Sequence, residues 1–181
     1  MTRLYVYDET DPARLIVDTE DGAEIARELN GIGVRFERWQ AAAPLASDAD
    51  QDAVIAAYKT EIDRLKAECG YKSVDVVRMQ PDHPQREALR EKFLDEHTHS
   101  EDEVRFFVEG SGAFYLRKAG RVFKVVCTRD DLISVPTGTT HWFDMGPAPH
   151  FTAIRLFENT DGWVAKFTGD TIARRFPLYA G

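Results

Sequence analysis

Five short β-prone runs crowd the second half of this 181-residue chain, and they constrain its fold more than any other feature. They are Val104–Val108, Ala113–Arg117, Val122–Cys127, Leu132–Val135 and Phe151–Glu158. Turn residues separate them: Gly110 and Gly112 at one point, Lys118-Ala119-Gly120 at the next, then Pro136 and Gly138. Short strands at near-regular spacing bury enough apolar surface only by packing on one another, so the pattern predicts an antiparallel sandwich or barrel.

The first half alternates strand and helix signals. Leu4–Tyr7, Arg14–Val17, Val34–Trp39 and Ser73–Met79 read as strands. Asp21–Asn30 reads as a helix capped by Asp21 and stopped by Gly31 and Gly33. Ala41–Ser47, with Pro44, is a loop. The strongest helix signal runs from Ser47 to Glu68, where Val54, Ile55, Tyr58, Ile62, Leu65 and Cys69 fall on one stripe and Gly70 ends it. That stripe predicts packing, not chemistry. Pro84–Leu94 reads as a short helix with Arg86, Arg90 and Lys92 solvated, and Asp170–Phe176 as one or two helical turns. With no repeat, low-complexity tract or linker, residues 1–181 read as one domain. Within it, 1–92 supply α/β elements, 93–160 the barrel core and 161–181 a C-terminal segment.

Composition narrows the function classes. A net charge of −8 and a pI near 5.1 repel phosphate backbones, so no nucleic-acid partner is expected. Cys69 and Cys127 are far apart and outside any C-x-x-C pair, so they read as apolar side chains. No basic run followed by an apolar stretch opens the sequence, and nothing approaches the ~20 apolar residues of a membrane span. A cytoplasmic protein without a membrane partner is the expectation.

Chemistry concentrates in one stretch. His97 and His99 sit two apart, so in an extended segment their rings point to one side. Glu103 follows four residues after His99 and shares strand parity with Arg105 and Phe107. A further histidine, His141, follows Pro136-Thr137-Gly138 in a P-x-G-x-x-H element. Imidazoles and a carboxylate converging on a point make a divalent-metal site. His83 and His150 lie beside prolines in loops and read as non-ligands. Three imidazoles and one carboxylate would close a tetrahedral zinc site, but would leave an octahedral ion two open positions.

H-x-H-x-x-x-E, with Gly110 after Glu103 and P-x-G-x-x-H one hairpin later, resembles the two cupin motifs. The runs Glu96–Gly112, Asp131–Pro136 and His141–Gly146 resemble more closely the bacterial acireductone dioxygenases, and the likeness covers most of the chain. Asp130 stands where the second cupin motif opens with Gly, and Met145 where many cupins carry Asn.

The resemblance implies a mainly β fold with flanking helices: a cupin jelly-roll β-barrel preceded by N-terminal α/β elements. It implies a monomeric, metal-dependent dioxygenase of methionine salvage, holding one Fe²⁺ or Ni²⁺ per chain on His97, His99, Glu103 and His141, with no other cofactor. The implied substrates are dioxygen and the acireductone 1,2-dihydroxy-3-keto-5-methylthiopentene. Iron(II) directs cleavage to formate and 4-methylthio-2-oxobutanoate, and nickel(II) to formate, carbon monoxide and 3-methylthiopropanoate. In that family the position of Arg105 is associated with generating the substrate dianion. The positions of Glu96 and Asp102 are associated with metal incorporation and with relaying local conformational change.

Physical roles stand beside these. Arg105, always charged, suits stabilising an anion, or pairs with Glu109 or Asp102. Glu96 and Asp102 either orient the imidazoles by accepting their second N–H or are solvated loop acids. Phe93, Phe107, Phe143 and Trp163 form an apolar wall for a methylthio tail or belong to the core. Arg155, among apolar residues, pairs with a carboxylate or meets the substrate. Two other readings fit the same ligands: a different cupin metal enzyme, such as an oxalate-type one, and a non-catalytic cupin binding module.

Overall fold

The computed structural model describes all 181 residues. In chain order its elements are β1 (Arg3–Asp8), β2 (Leu15–Thr19), α1 (Gly22–Gly31), β3 (Arg35–Arg38), α2 (Gln51–Ala57), α3 (Lys59–Cys69), β4 (Ser73–Met79), α4 (Arg86–Leu94) and β5 (His97–Thr98). There follow β6 (Glu103–Lys118), β7 (Arg121–Thr128), β8 (Asp131–Val135), β9 (His141–Asp144), β10 (Phe151–Phe157) and β11 (Lys166–Phe167). The architecture is mainly β with flanking helices, as the sequence predicts. None of the helices is long and apolar enough to cross a membrane.

The 16-residue strand β6 organises the barrel. Its first half lies between β8 and β10, and its second half between β7 and β9. It therefore runs through both sheets: β11-β5-β9-β6-β7-β1-β2 on one side, and β3, β8, β6, β10 and β4 on the other. All pairings are antiparallel.

The turn expected at Gly110 and Gly112 is not a reversal. The strand continues through it as a corner between sheets, the kind of bend that bulges and glycines allow. Gly110 has φ +76°, and a Cβ there would lie 1.9 Å from the His150 carbonyl oxygen. A Cβ on Gly112 would lie 2.4 Å from the Phe143 ring. Both glycines thus serve close approach.

Side-chain alternation along β6 sorts residues to opposite faces, and its Ala113 and Tyr115 enter a third cluster with Trp142 and Phe176. Phe107 and Phe114 join Leu4, Val6, Phe123, Ile133 and Phe143 between the sheets. Val104 and Phe106 face outward, where Val54, Tyr58, Ile62 and Leu65 of the helical layer cover them. Phe106 packs 4.7 Å from both Trp39 and Tyr58, measured between ring centroids. Full burial of such side chains is worth about 1.5–3 kcal/mol each.

The helix expected over Ser47–Glu68 starts later and breaks. Asp50 caps α2 by accepting from the Ala53 amide, and Tyr58 leaves helical geometry at φ −115°, ψ 18°. That break lets the Tyr58 ring sit on Phe106 while α2 and α3 keep their apolar stripe on the sheet. Arg90 also departs from expectation. It is not solvated but forks onto the fully buried Asp144, at 2.7 and 3.1 Å, tying α4 to β9. Asp130 takes φ +75°, so it supplies the left-handed turn that the resembled motif gives to glycine.

Replacing Gly110 with alanine adds both left-handed strain and a backbone clash. Gly110→Ala should lower stability by about 2–4 kcal/mol, read by urea denaturation, whereas Asp130→Gly should be neutral or stabilising by up to ~1 kcal/mol.

Candidate metal centre

Two short strands bring the donors together. His97 opens β5 and pairs in register with His141, which opens β9. Glu103 opens β6 and lies beside both. The turn before His141 grips the loop that carries His99. Gly138, at φ +75°, donates its amide to the His99 carbonyl at 3.0 Å, and the Thr137 amide donates to the Asp102 carboxylate at 2.9 Å.

The four ligand atoms of His97, His99, Glu103 and His141 lie within 4.8 Å of one another. His141 Nε2 stands 2.7 Å and His99 Nε2 3.2 Å from Glu103 Oε2. The Nδ1 atoms of His97 and His141 are tied to the Asp95 and Thr139 carbonyl oxygens, each at 2.7 Å. Those contacts fix the rings so that Nε2 faces the cluster, the orientation a metal-bound imidazole needs. His99 Nδ1 is buried without a partner.

Electrostatics suit the same use. Burial, with His141 adding to it, lowers the His97 imidazole to about 4, so its lone pair is free at neutral pH. Burial alone would raise the Glu103 carboxyl, but the Arg105 guanidinium and the two imidazoles hold it well below the usual carboxylate range. Burial would also lower His141, yet its bond to Glu103 outweighs that and raises it. Neutral nitrogens and an ionised carboxylate around one point are the donor set of a first-row divalent metal, and these residues fit one.

A cavity of about 320 Å³ opens on this cluster. His97, His99, Glu103 and Arg105 line it together with Phe93, Phe143, Arg155 and Trp163. Phe107 does not line it. Fully buried, with its ring 6.1 Å from that of Phe151, it belongs to the core. Arg105 pairs with neither Glu109 nor Asp102. Its Nε donates to Glu103 Oε1 at 3.0 Å. Glu109 instead meets His150 at 3.1 Å, away from the cluster. Arg155 forks onto Asp75 at 2.9 and 2.6 Å and stacks 3.5 Å over the Trp163 ring.

The suggestion that Glu96 and Asp102 accept imidazole N–H groups does not match the geometry, because backbone carbonyls hold the two rings. The Glu96 carboxylate takes Arg117 at 3.2 Å and the Thr168 hydroxyl at 2.8 Å. Asp102 accepts from the Tyr71 hydroxyl at 2.8 Å as well as from Thr137. Glu96 braces the ligand segment from outside the cavity, whereas Asp102 braces it while also lining the cavity. Leu89 of α4 and Met145, just after β9, also line the cavity; the sequence reading placed neither in the pocket.

A model of the ARD/ARD' family matches residues 3–165. The chain belongs to that family, the acireductone dioxygenases. It is 66% identical to the acireductone dioxygenase of Parvibaculum lavamentivorans over 179 residues, covering 99% of this chain and 97% of the relative. The Pseudomonas aeruginosa enzyme of that name is 60% identical over 178 residues, 98% of each chain. Among solved structures, acireductone dioxygenase from Bacillus anthracis, with a cadmium ion in its active centre, superposes with a TM-score of 0.80 at 30% identity, covering 92% of this chain and 98% of that one. The family consists of metal-dependent dioxygenases, and the site fits such an enzyme.

His97→Ala and His141→Ala should each reduce bound divalent metal to background in elemental analysis of the purified protein. His83→Ala and His150→Ala should keep the parent stoichiometry. Full metal content in either of the first pair would refute the ligand assignment.

Proposed function

We propose that the chain cleaves 1,2-dihydroxy-3-keto-5-methylthiopentene with dioxygen, in methionine salvage, using Fe²⁺ or Ni²⁺ held by His97, His99, Glu103 and His141. With iron(II) the products are formate and 4-methylthio-2-oxobutanoate; with nickel(II) they are formate, carbon monoxide and 3-methylthiopropanoate. The observation that carries this reading is a cluster of four donors, three of which, His97, His99 and Glu103, line a cavity together with Arg105 and apolar side chains. Family membership supplies the substrate class. β1 pairing with β7 and β4 with β10 join the N-terminal elements to the barrel and support the single-domain reading; the cytoplasmic and monomeric readings rest on the family likeness.

When bound, the cation supplies Lewis acidity that lowers the pKa of an enediol's hydroxyls. The chain's own groups do the rest. Glu103 cannot also serve as a base, because Arg105 takes one oxygen and the imidazoles face the other. Arg105 uses only Nε on Glu103, so its terminal N–H groups are free to hold a developing enediolate charge. A guanidinium keeps its proton at any relevant pH, so it stabilises the anion without protonating it. Met79, Leu89, Phe93, Phe143 and Met145 exclude water and offer thioether and aromatic contacts to a methylthio tail. Raw affinity does not choose between iron and nickel, so metal supply selects the product set.

The test is oxygen uptake by protein loaded with each ion and given the acireductone, with formate, keto acid and carbon monoxide quantified. Metal-loaded protein that consumes no oxygen would refute the reading. Arg105→Ala should retain metal and lose about 10²–10³ in turnover, the scale of removing one charge-stabilising donor. Arg105→Lys should not restore it, since a point charge lacks the fork that spans Glu103 and substrate.

A further inference from the structure

One carboxylate next to the ligands has no part in the chemistry above. Glu101 lies between His99 and Glu103, and its Oε2 accepts the backbone amides of Glu158 and Asn159, both at 3.1 Å. Just beyond, Gly162 packs on the same side chain. A Cβ at Gly162 would lie 2.6 Å from Glu101 Cδ and Cγ, so only glycine fits that approach. Gly162 is buried inside the 3-10 turn Thr160–Trp163. Trp163 stands in the cavity wall, 4.0 Å from the Phe157 ring and 3.5 Å under the Arg155 guanidinium.

The segment's other ties are an exposed ion pair of Glu158 with Lys72 at 3.1 Å and the turn's own bonds to Asn159 and Asp161. Lys166–Phe167 adds only a two-residue strand, and Val164 is 72% exposed. Two amides on one carboxylate oxygen and a glycine seated against its stem make Glu101 the bracket between the ligand-bearing loop and the turn that carries Trp163.

We propose that Glu101 is a positioning residue that sets the tail end of the substrate cavity. By holding the 158–163 turn, it keeps Trp163 against Phe157 and Arg155, and so favours acireductones with an extended apolar tail. The proposal rests on the reading that the cavity takes an acireductone. Glu101 touches neither donor atoms nor substrate and acts only through Trp163.

The experiment compares metal-loaded parent, Glu101→Ala and Glu101→Gln on two acireductones, one with the methylthio tail and one with the tail truncated to a methyl group. In Glu101→Ala the ratio of kcat/KM, tailed over truncated, should fall about tenfold, the scale of losing one wall of an apolar pocket, with the loss lying in KM. Metal stoichiometry should match the parent. Tryptophan emission should shift to the red, because Trp39 and Trp142 are buried and Trp163 alone is partly exposed. Glu101→Gln keeps an oxygen that accepts both amides, so it should restore the ratio and the emission.

A parent-like ratio in Glu101→Ala would overturn the proposal. So would equal impairment of both variants with loss of metal, which would place Glu101 in ligand support instead. A parent protein inactive on both substrates would sink the acireductone reading, and the emission comparison would then still decide whether Glu101 holds Trp163.

Discussion

The Glu103 carboxylate meets Arg105 through one oxygen and two imidazoles through the other. Three cationic or polar partners on one mostly buried acid would be costly if any were missing, because an unpaired buried charge is far more expensive than a paired one. The surrounding fold answers that demand. β6 delivers Glu103 and Arg105 from one strand, β5 and β9 deliver His97 and His141 from a paired register, and the Pro136–Thr139 turn clasps the loop of His99 and Asp102.

The barrel is arranged so that this polar point faces a cavity and not the core. The Gly110 corner lets one strand serve both sheets, which puts the open end of the sandwich over β6's first residues. Helix α4 then closes the side. Its Arg90 locks onto buried Asp144 of β9, and the same carboxylate accepts the amides of Gly146 and Tyr179. α4 carries Leu89 and Phe93, and β9 carries Phe143 with Met145 just beyond it, so this part of the apolar wall is fixed by an ion pair at its back. Metal donors and apolar side chains line the same cavity, the mixed lining of a small-molecule site.

Much of this was legible in the sequence, and the exceptions share a cause. The ligand residues stood out because a two-residue spacing fixes parity in an extended chain, and because His141 follows a turn that resembles a known motif. The β-rich second half was legible from its short runs. The corner at Gly110 was not, since a glycine that bends a strand and one that reverses it carry the same local signal. The break at Tyr58 follows from a ring finding Phe106 some fifty residues on in sequence, which no helical periodicity encodes. The imidazole partners were missed because they are backbone carbonyls and have no side-chain signature. Arg90 and Phe107 show the same limit in opposite directions: a charge that looked solvated is paired inside, and an aromatic on the ligand strand lies too deep to reach the cavity.

The central claim is that three imidazoles and one carboxylate surround a single divalent ion that retains adjacent open positions. X-ray absorption at the metal edge of the iron(II)-loaded protein, recorded anaerobically with and without an acireductone, tests it most directly. The account predicts scattering from three imidazoles in a six-coordinate shell, with light-atom ligands replaced when the enediol is added. Fewer imidazoles, or a closed four-coordinate shell indifferent to the enediol, would contradict it.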